Sequence, residues 1–548
     1  MPAVLGVNAV FHDPAAALLV DGEIVAAAEE ERFSRRKHGK APVAFSTWEL
    51  PEQAMAFCLA EAGLEPGDLD AVAYSYDPEL APQVNGDVTA AEWEGLRTLY
   101  ARRAPLFLRT SLPGLDPARV RWVPHHVAHA ASATFASGMD PCDVLVVDGR
   151  GERTSHLAGR FAGGRLDVLA AQALPHSLGL LYEKLTTHLG FHPSSDEYKV
   201  MAMASSGEPS SLDELRRLVH ADGRGGFAIG AVDLERLAPS RAPSEALERA
   251  HADLAASVQR RLEEVLLDLA AWLHARTGGR GLALAGGVAL NCVANSRLWR
   301  ESAYERIWVQ PAAGDAGTAL GAAMHVAAEL GDDVQPMRTV ALGRGWDDAA
   351  LEQALRTAGV PYRRTTDISA TVAEALARNE VVAWFQGRSE YGPRALGHRS
   401  LLADPRARGN VERLNDVKGR EQFRPIAPMV RAERAPNVFA GPLPSPFMLF
   451  THEVRPGWAD RIPAVVHVDG TARIQTVDPV DEPMVARMLT RFEALTGVPV
   501  VVNTSLNTAG RPIVDDPRDA LECFGSAPID LLAIGPFAVR RAAGAEVA

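Results

Sequence analysis

Short apolar runs that end in polar or glycine-rich turns open the sequence. Residues 4–10 form the first run, which leads directly into His12 and Asp13. Asp21-Gly22 separates two further apolar runs, and an Asp-Gly pair in that position predicts a β-hairpin. The chain is therefore predicted to begin with a strand, a loop that carries His12 and Asp13, and a hairpin.

The same order of elements recurs at 143–152, where an apolar run ends in Asp148, Gly149 and Gly151. Polar, glycine-rich turns at strand ends present backbone N–H groups that can hold phosphate oxygens. Two such loops in equivalent positions predict a duplicated α/β architecture, with the active site between its halves.

Two later segments also combine a glycine-rich turn with a helix. Residues 250–277 have apolar positions at helical spacing and lead into a strand–turn–helix unit that begins at 282–291. A further turn at 314–321 opens a helix of small residues. These units extend the α/β pattern through the first part of the chain.

A change of texture marks a domain boundary. Residues 331–344 are polar and precede a new helix at 349–358 and an apolar run centred on 381–385. We place the boundary near residue 338, which predicts domains at 1–338 and 339–548. Within the second domain, β-prone runs lie at 465–468 and 498–502.

Composition narrows the class of protein. The 548 residues are 47% hydrophobic and 23% charged, which is enough apolar material for sizeable cores. Lys and Arg number 56 against 69 Asp and Glu, and the net charge of −13 argues against a nucleic-acid or anionic-membrane partner. Four scattered cysteines without a CxxC pair, no long apolar run and no signal-peptide pattern predict a cytoplasmic enzyme.

An HxxxH pattern is the sharpest local signal. Four residues apart on a helix, His125 and His129 project from one face and can bind one metal ion, whereas His126 is expected to point elsewhere. His126 also occupies the position where zinc peptidases carry Glu, which disfavours peptidase chemistry. Asp148 and Asp315 are the best carboxylate candidates, and this set suits iron(II), manganese or zinc. Capping or core histidines are the alternative interpretation.

Glycines at predicted strand ends and helix starts form a second group, whose backbone amides can face a phosphate. The chain has neither a P-loop pattern nor a GxGxxG after its first strand, which argues against those two nucleotide sites. Together with the twin loops, the glycines favour a nucleotide cleft of the sugar-kinase/actin type, although turn geometry alone explains any one of them. The candidate nucleotide-binding residues are Gly149, Gly151, Gly286, Gly287, Asn291 and Gly314.

Basic residues in the second domain alternate with glycine, proline and apolar residues. In an acidic protein this pattern favours a polyphosphate pocket over a solvated face, because guanidinium groups pair with phosphate oxygens and lysine supplies a point charge. A β-prone run is followed by hydroxyl and amide groups that can bind a nucleotide or oxyanion. The candidate pocket residues are Arg394, Arg399, Lys418, Arg420, Arg424, Arg473, Ser505 and Asn507.

Together these motifs resemble those of the NodU/CmcH O-carbamoyltransferases, and the resemblance runs through essentially the whole chain. The segments that carry it are FHDPAA (11–16), EERFSRRKH (30–38), HHVAH (125–129), DGRGE (148–152), EYKVM (197–201), GGVALN (286–291) and GRSEYGPRALG (387–397).

The resemblance implies an α/β protein with two active sites. The N-terminal domain is similar to TsaD-like metal domains of the sugar-kinase/actin (ASKHA) superfamily, whose ligands map onto His125, His129, Asp148 and Asp315, with iron(II) as the implied metal. The C-terminal domain is similar to YrdC-like α/β domains, whose KxR and SxN signatures occur here at 418–420 and 505–507.

The resemblance also implies the chemistry. The family makes carbamoyl adenylate from carbamoyl phosphate and ATP, which is used with Mg²⁺, and then transfers the carbamoyl group to a hydroxyl of a small secondary metabolite such as an antibiotic. A sugar hydroxyl is the expected acceptor. We assign the acceptor's base to His12 and a charge-steadying role to Lys37, while Lys418, Arg420 and Ser505 are assigned to adenylation. A structural cap of its loop is the alternative role for His12.

Other functions compete with this hypothesis. A tRNA threonylcarbamoyl-type transferase uses the same two folds, but the net charge and the lack of basic arms disfavour a tRNA partner. A metallohydrolase is disfavoured because this chain lacks the Glu that follows the first histidine of the zinc-peptidase pattern. A non-enzymatic scaffold would leave the polar residues at the strand ends unexplained. The acceptor is not encoded in any motif, and a homodimer is the expected assembly.

Overall fold

The computed structural model describes residues 2–39, 49–81 and 90–541. The chain divides into two compact units, 1–338 and 339–548. Within the described residues, the helices that are long enough to cross a bilayer are too polar to do so, and the apolar ones are too short.

The first unit contains two five-stranded mixed sheets, and the first of them begins at the N-terminus. Its strands are β1 (Ala3–Asn8), β2 (Ala15–Val20), β3 (Glu23–Glu29), β4 (Ala71–Tyr74) and β5 (Val120–Trp122), in the order β3-β2-β1-β4-β5. Strands β1, β2 and β3 are antiparallel neighbours, whereas β1, β4 and β5 run parallel. Asp21 and Gly22 both have positive φ, as a two-residue hairpin turn requires, so the predicted hairpin is confirmed.

The second sheet repeats the first. After β6 (Cys142–Val147), β7 (Thr154–Ala162) and β8 (Arg165–Ala173), a separate hairpin of β9 (Val219–Ala221) and β10 (Phe227–Ile229) precedes β11 (Gly281–Ala285) and β12 (Arg306–Val309). The order β12-β11-β6-β7-β8 and the strand directions match those of the first sheet. The predicted duplication is therefore confirmed.

Helices rich in small residues pack against each other and against the two sheets of this unit. In α4 (His125–Ser137) and α11 (Ala316–Glu329), alanine and glycine allow the backbones to approach closely, because a Cβ on Gly321 would lie only 1.8 Å from the carbonyl oxygen of Ala128. Helix α11 packs equally closely on β1, where Gly6 faces Ala319. The helices of this unit are α1 (Glu31–Ser34), α2 (Glu52–Ala62), α3 (Ala90–Ser111), α4 (His125–Ser137), α5 (Leu178–His188), α6 (Glu197–Ala204), α7 (Leu212–Leu218), α8 (Leu234–Leu237), α9 (Arg249–Thr277), α10 (Cys292–Glu301) and α11 (Ala316–Glu329).

The second unit is built on an eight-stranded sheet and a small three-stranded one. The strands are β13 (Tyr362–Arg364), β14 (Val382–Phe385), β15 (Arg399–Ala403), β16 (Ala427–Arg431), β17 (Phe439–Ala440), β18 (His452–Val454), β19 (Thr471–Ala472), β20 (Gln475–Val477), β21 (Val500–Ser505), β22 (Leu531–Ile534) and β23 (Phe537–Arg540). The large sheet has the order β13-β23-β22-β14-β15-β21-β16-β20, and β17, β18 and β19 form the small one.

Helices cover the large sheet, and its central strands are completely buried. The helices of this unit are α12 (Asp348–Thr357), α13 (Ile368–Ala377), α14 (Asn410–Val417), α15 (Ala435–Val438), α16 (Pro483–Thr496) and α17 (Pro517–Ser526). The β-prone run at 498–502 is part of β21, as predicted. The prediction of a strand at 465–468 is wrong. His467 and Gly470 form a tight turn before β19, and Val468 is 79% exposed.

Candidate metal centre and anion-binding cluster

Four side chains of metal-ligand type converge in the first unit from three separate segments. His125 and His129 lie in α4, Asp148 follows β6, and Asp315 immediately precedes α11. His125 Nε2 is 3.5 Å from both Asp148 Oδ2 and Asp315 Oδ1, and His129 Nε2 is 3.7 and 3.6 Å from the same two oxygens. Atoms bound tetrahedrally at about 2.1 Å from one ion are about 3.4 Å apart, so the spacing suits a single metal ion.

The state of these atoms tests whether a metal fits. All four side chains are buried. Among the residues that the structure describes, His125 Nε2, His129 Nε2 and Asp315 Oδ2 have no hydrogen-bond partner. Buried polar atoms without partners are costly, and a cation would supply the missing interaction. Two imidazoles and two carboxylates are a donor set that divalent transition metals accept, so the residues fit such an ion.

Neighbouring groups orient the ligands. The Nδ1–H of His125 donates to the carbonyl oxygen of Ser75 (3.2 Å), which leaves the Nε2 lone pair directed at the carboxylates. Asp148 Oδ1 accepts a 2.9 Å hydrogen bond from the N–H of Gly287. These two contacts therefore turn one defined atom of His125 and one of Asp148 toward the centre.

The charges of the four side chains explain their proton affinities. Burial by itself lowers the pKa of His125, but Asp315 and Asp148 outweigh it and raise that pKa well above its ordinary value. Burial raises the carboxylate pKa values, but the histidines outweigh it and hold the pKa of Asp148 and of Asp315 below the usual range. The two carboxylates thus favour positive charge at this position, which a divalent ion would provide.

The prediction that His126 points away from the site is wrong. Its Nε2 is buried 3.8 Å from Asp148 Oδ2, and its Nδ1 is 2.7 Å from the Thr154 hydroxyl. Burial and the nearby His125 lower the pKa of His126 to about 4, although Asp148 opposes this shift. His126 therefore faces the same carboxylate as the two ligand histidines.

A hydrogen-bonded series lies beside the centre and contains the predicted base. His12 Nε2 is 3.6 Å from Asp315 Oδ2, and its Nδ1 is 2.9 Å from Asp13 Oδ2. The other oxygen of Asp13 is 2.8 Å from His38 Nδ1, and His38 Nε2 is 2.8 Å from the Ser195 hydroxyl. Because a carboxylate only accepts, Asp13 binds the Nδ1–H of both rings, and His12 Nε2 is an acceptor only while that ring is neutral.

The series has a raised affinity for protons. Burial lowers the pKa of His12, but Asp315 and Asp13 outweigh it and raise that pKa to about 10. Lys37, the other catalytic candidate of this unit, is the residue before His38 in a short 3₁₀ turn and is half-buried. Of the two histidines of the series, His12 faces the centre, and His38 is linked to it through Asp13.

The candidate nucleotide glycines have mixed roles. Gly286 has φ +88°, and a Cβ there would lie 2.3 Å from the carbonyl oxygen of Val147, so this turn requires glycine. Gly287 donates to Asp148, and Gly151 makes room for the ring of His126. A Cβ at Gly149 would make ordinary van der Waals contacts with Glu183 and Leu180, and one at Gly314 with Leu290, so space alone does not require glycine at either position.

Asn291 has a structural position. Its side-chain oxygen accepts from the N–H of Ala294 at the start of α10, and its amide group donates to Gln259 at 2.8 Å. The side chain is 9% exposed, and its hydrogen bonds are used inside the protein. The prediction that it binds a cofactor has no support in this geometry.

In the second unit, three of the predicted residues form one cluster. The buried Lys418 follows α14, and its Nζ donates to the carbonyl oxygen (2.6 Å) and hydroxyl (2.9 Å) of Ser505 and to Asn507 Oδ1. The Ser505 hydroxyl also lies 2.8 Å from Asn507 Oδ1. The sequence of 339–548 contains a single lysine, Lys418, among many arginines. A compact ammonium with three donors suits this position, whereas a planar guanidinium does not.

The arginines differ from one another in their surroundings. Arg399 is fully buried, stacks 3.8 Å over the ring of Phe385, and donates to backbone carbonyls, including those of Gln386 and Arg344. These contacts direct its terminal nitrogens at the backbone, and its assignment as an anion ligand stays a prediction. Arg420 donates to Asn415. The remaining predicted arginines are half-buried in the same unit: Arg394, Arg424 and Arg473.

Sequence reasoning assigned no role to several residues of these sites. Asp13 and His38 lie within the quoted motifs, so their position next to His12 was the available signal. Glu152 accepts from the N–H groups of His125 and Asp77 at 2.8 Å and holds the start of α4. Ser195 lies far along the chain from His38, and no local pattern marks it.

Comparisons with known proteins agree with a two-part enzyme. Residues 3–324 match the family described as Carbamoyltransferase N-terminus, and residues 373–541 match Carbamoyltransferase C-terminus. The chain is 37% identical to an uncharacterized protein of Synechocystis sp., over 99% of this chain and 97% of that protein. It is 37% identical to the nodulation protein NolNO of Sinorhizobium fredii, over 97% of this chain and 80% of that protein.

Nodulation protein U of Rhizobium tropici is 31% identical, over 93% of this chain and 92% of that protein. Among solved structures, HypF of T. kodakarensis matches with a TM-score of 0.40 and 15% identity, over 60% of this chain and 48% of that chain. A likeness at that level supports no conclusion about fold or function. From the two family matches and the full-length relatives, the chain belongs to the carbamoyltransferase family and is a carbamoyltransferase.

Proposed function

We propose that this carbamoyltransferase makes carbamoyl adenylate from carbamoyl phosphate and ATP and transfers the carbamoyl group to a hydroxyl of a small secondary metabolite. The observation that carries the proposal is the presence of two chemically different polar centres, one in each unit. The centre of the first unit has the side chains that hold a metal cation. The centre of the second unit surrounds the buried ammonium group of Lys418, which can attract an anion. The motifs are similar to those of the tobramycin O-carbamoyltransferase, which favours an antibiotic-type acceptor with a sugar hydroxyl.

We assign adenylation to the second unit, which the motifs liken to YrdC-like domains. Water releases phosphate from carbamoyl phosphate, and the resulting carbamate attacks the α-phosphorus of ATP, which is bound with Mg²⁺. The P–O bond to pyrophosphate breaks as the new anhydride bond forms. The ammonium of Lys418 and the hydroxyl of Ser505 are the types of group that stabilise anionic phosphoryl oxygens.

We assign transfer to the first unit, whose motifs resemble those of metal domains of the sugar-kinase/actin superfamily. His125, His129, Asp148 and Asp315 would hold an iron(II) ion, which when bound supplies Lewis acidity toward a carbonyl or phosphate oxygen. The mixed anhydride makes AMP a good leaving group.

The chain's own base completes this step. We assign the acceptor's proton to Nε2 of the neutral His12 ring, because Asp13 holds the Nδ1–H on the opposite side of that ring. The acceptor oxygen then bonds to the carbamoyl carbon, and the bond from that carbon to the phosphate oxygen of AMP breaks. The carbamate ester and AMP are the products.

The test separates the two half-reactions. The purified metal-loaded protein is incubated with carbamoyl phosphate, ATP and Mg²⁺, and pyrophosphate, phosphate and AMP are measured with and without hydroxylated acceptors, tobramycin first. We expect pyrophosphate release that requires both substrates, and a carbamoylated product detected by mass spectrometry. If pyrophosphate release does not depend on carbamoyl phosphate, or does not occur, the adenylation step is refuted.

A further inference from the structure

Three imidazoles surround a single carboxylate oxygen at the candidate metal centre. Asp148 Oδ2 lies 3.5 Å from His125 Nε2, 3.7 Å from His129 Nε2 and 3.8 Å from His126 Nε2. The first two are the metal-ligand pair of the HxxxH pattern. The third comes from the residue between them and has its own fixed partner.

Thr154 determines how the ring of His126 is held. Its hydroxyl lies 2.7 Å from His126 Nδ1 and can either donate to that nitrogen or accept from it. On the opposite side of the ring, Nε2 is buried and faces an anionic oxygen. His126 is not among the four ligand-type side chains of the centre, so a hydrogen on its Nε2 is favourable there, whereas a bare lone pair facing the carboxylate is repulsive. The Thr154 hydroxyl accommodates this state.

The surroundings keep the ring in this position. Gly151 lies against it, and a Cβ at that residue would be 3.1 Å from His126 Cε1. On the other side of the carboxylate, Asp148 Oδ1 accepts from the N–H of Gly287. Asp148 Oδ1 therefore has a hydrogen-bond donor, whereas Oδ2 faces His126 Nε2 and keeps its lone pairs for the centre.

We propose that His126, held by Thr154, is a positioning residue that directs its Nε2–H at Asp148 and fixes this carboxylate for the metal ion. The contact of 3.8 Å is an electrostatic one, longer than a hydrogen bond. The inference concerns the metal centre on which the proposed transfer step depends. It gives the middle histidine of HHVAH a role that the HxxxH pattern alone does not assign.

The test measures metal binding and needs no acceptor substrate. Apo-protein is titrated with Co²⁺ against a competing chelator, and the visible absorption of the bound ion reports its ligand geometry. Groups that orient metal ligands typically change metal affinity by about 10- to 100-fold. We expect losses of that size, with an altered spectrum, in His126→Leu and in Thr154→Val. His126→Gln and Thr154→Ser, which keep an N–H donor and a hydroxyl respectively, should recover most of the affinity.

The matched control is His156→Leu, because His156 is as deeply buried but binds the backbone carbonyls of Val146 and Gly225. It should retain the wild-type Co²⁺ dissociation constant even where its thermal midpoint falls. Wild-type affinity and spectrum in a folded His126→Leu protein would overturn the inference, as would an equal loss in His156→Leu. Failure of the wild-type protein to bind Co²⁺ would overturn the centre itself, and with it the proposed transfer step.

Discussion

Replacing Lys418 with methionine should separate the two half-reactions. Lys418 is 7% exposed, and the three donor directions of its ammonium meet Ser505 O, Ser505 Oγ and Asn507 Oδ1. A hydrogen bond from a charged donor contributes about 1.5–3 kcal/mol. If one or two of these contacts are exchanged for reacting phosphoryl oxygens, the transition state loses about 2–4 kcal/mol in Lys418→Met, a rate loss of about 30- to 1,000-fold.

The assay supplies the protein with two alternative substrates. With carbamoyl phosphate and ATP, Lys418→Met should release pyrophosphate at the reduced rate. With preformed carbamoyl adenylate, transfer to the acceptor should proceed at the wild-type rate, because the first unit is unchanged. Lys418→Arg keeps the charge but is expected to remain slow, since a planar guanidinium cannot reproduce three converging donors.

Lys184→Met is the control for loss of a lysine, because Lys184 Nζ donates to the carbonyl oxygen of Val232 in the first unit. It should keep the wild-type rate of adenylation. A Lys418→Met protein that is folded and metal-loaded, yet equally inactive with both substrates, would refute the assignment of separate reactions to the two units.

Three further outcomes follow from the contacts of single residues. The wild-type protein should contain about one equivalent of metal, and His129→Ala should lose both this metal and the transfer activity while it still releases pyrophosphate. Unchanged metal content would exclude His129 as a ligand. Asp13→Asn should lower the transfer kcat about 10²- to 10⁴-fold without changing adenylation, because the amide leaves one imidazole N–H without an acceptor; wild-type transfer would remove Asp13 from the site. Burial lowers the pKa of His398, but its 3.0 Å contact with Glu482 raises it overall, so the contact stabilises the protein below about pH 6.5 and is lost as the pH rises through the folded pKa. The difference in thermal midpoint between wild type and Glu482→Gln should shrink from about pH 6 to about pH 9, and an equal difference at both would contradict this.

Much of the first unit could be predicted because its signals are local. The Asp21-Gly22 turn sets the hairpin, and the repeated pattern of a strand and a glycine-rich loop exposes the duplication. The convergence of the four ligand-type side chains also follows from local rules. His125 and His129 share a helix face, and Asp148 and Asp315 lie at element ends, where side chains meet at a sheet edge.

The residues that sequence reasoning missed depend on distant contacts. The helix period places His126 on a different face from His125, yet the loop after β6 runs beside the first turn of α4, so His126 also reaches Asp148. Ser195 reaches His38 across two loops. The charge of Arg399 indicates a ligand for phosphate, but full burial over Phe385 commits it to backbone carbonyls. Tertiary packing decides each of these cases.

The two centres place charge in opposite ways, which is consistent with a divided reaction. The buried carboxylates of Asp148 and Asp315 lower the cost of a cation, whereas the ammonium of Lys418 lowers the cost of an anion. Under the proposed function, adenylation moves highly charged phosphates, and transfer requires an electrophile and a base for a neutral hydroxyl. A single pocket would have to stabilise pyrophosphate and an ion held by carboxylates at once, and the repulsion between these anions would weaken both. Separate centres avoid that conflict and leave the adenylate as the species that both must recognise.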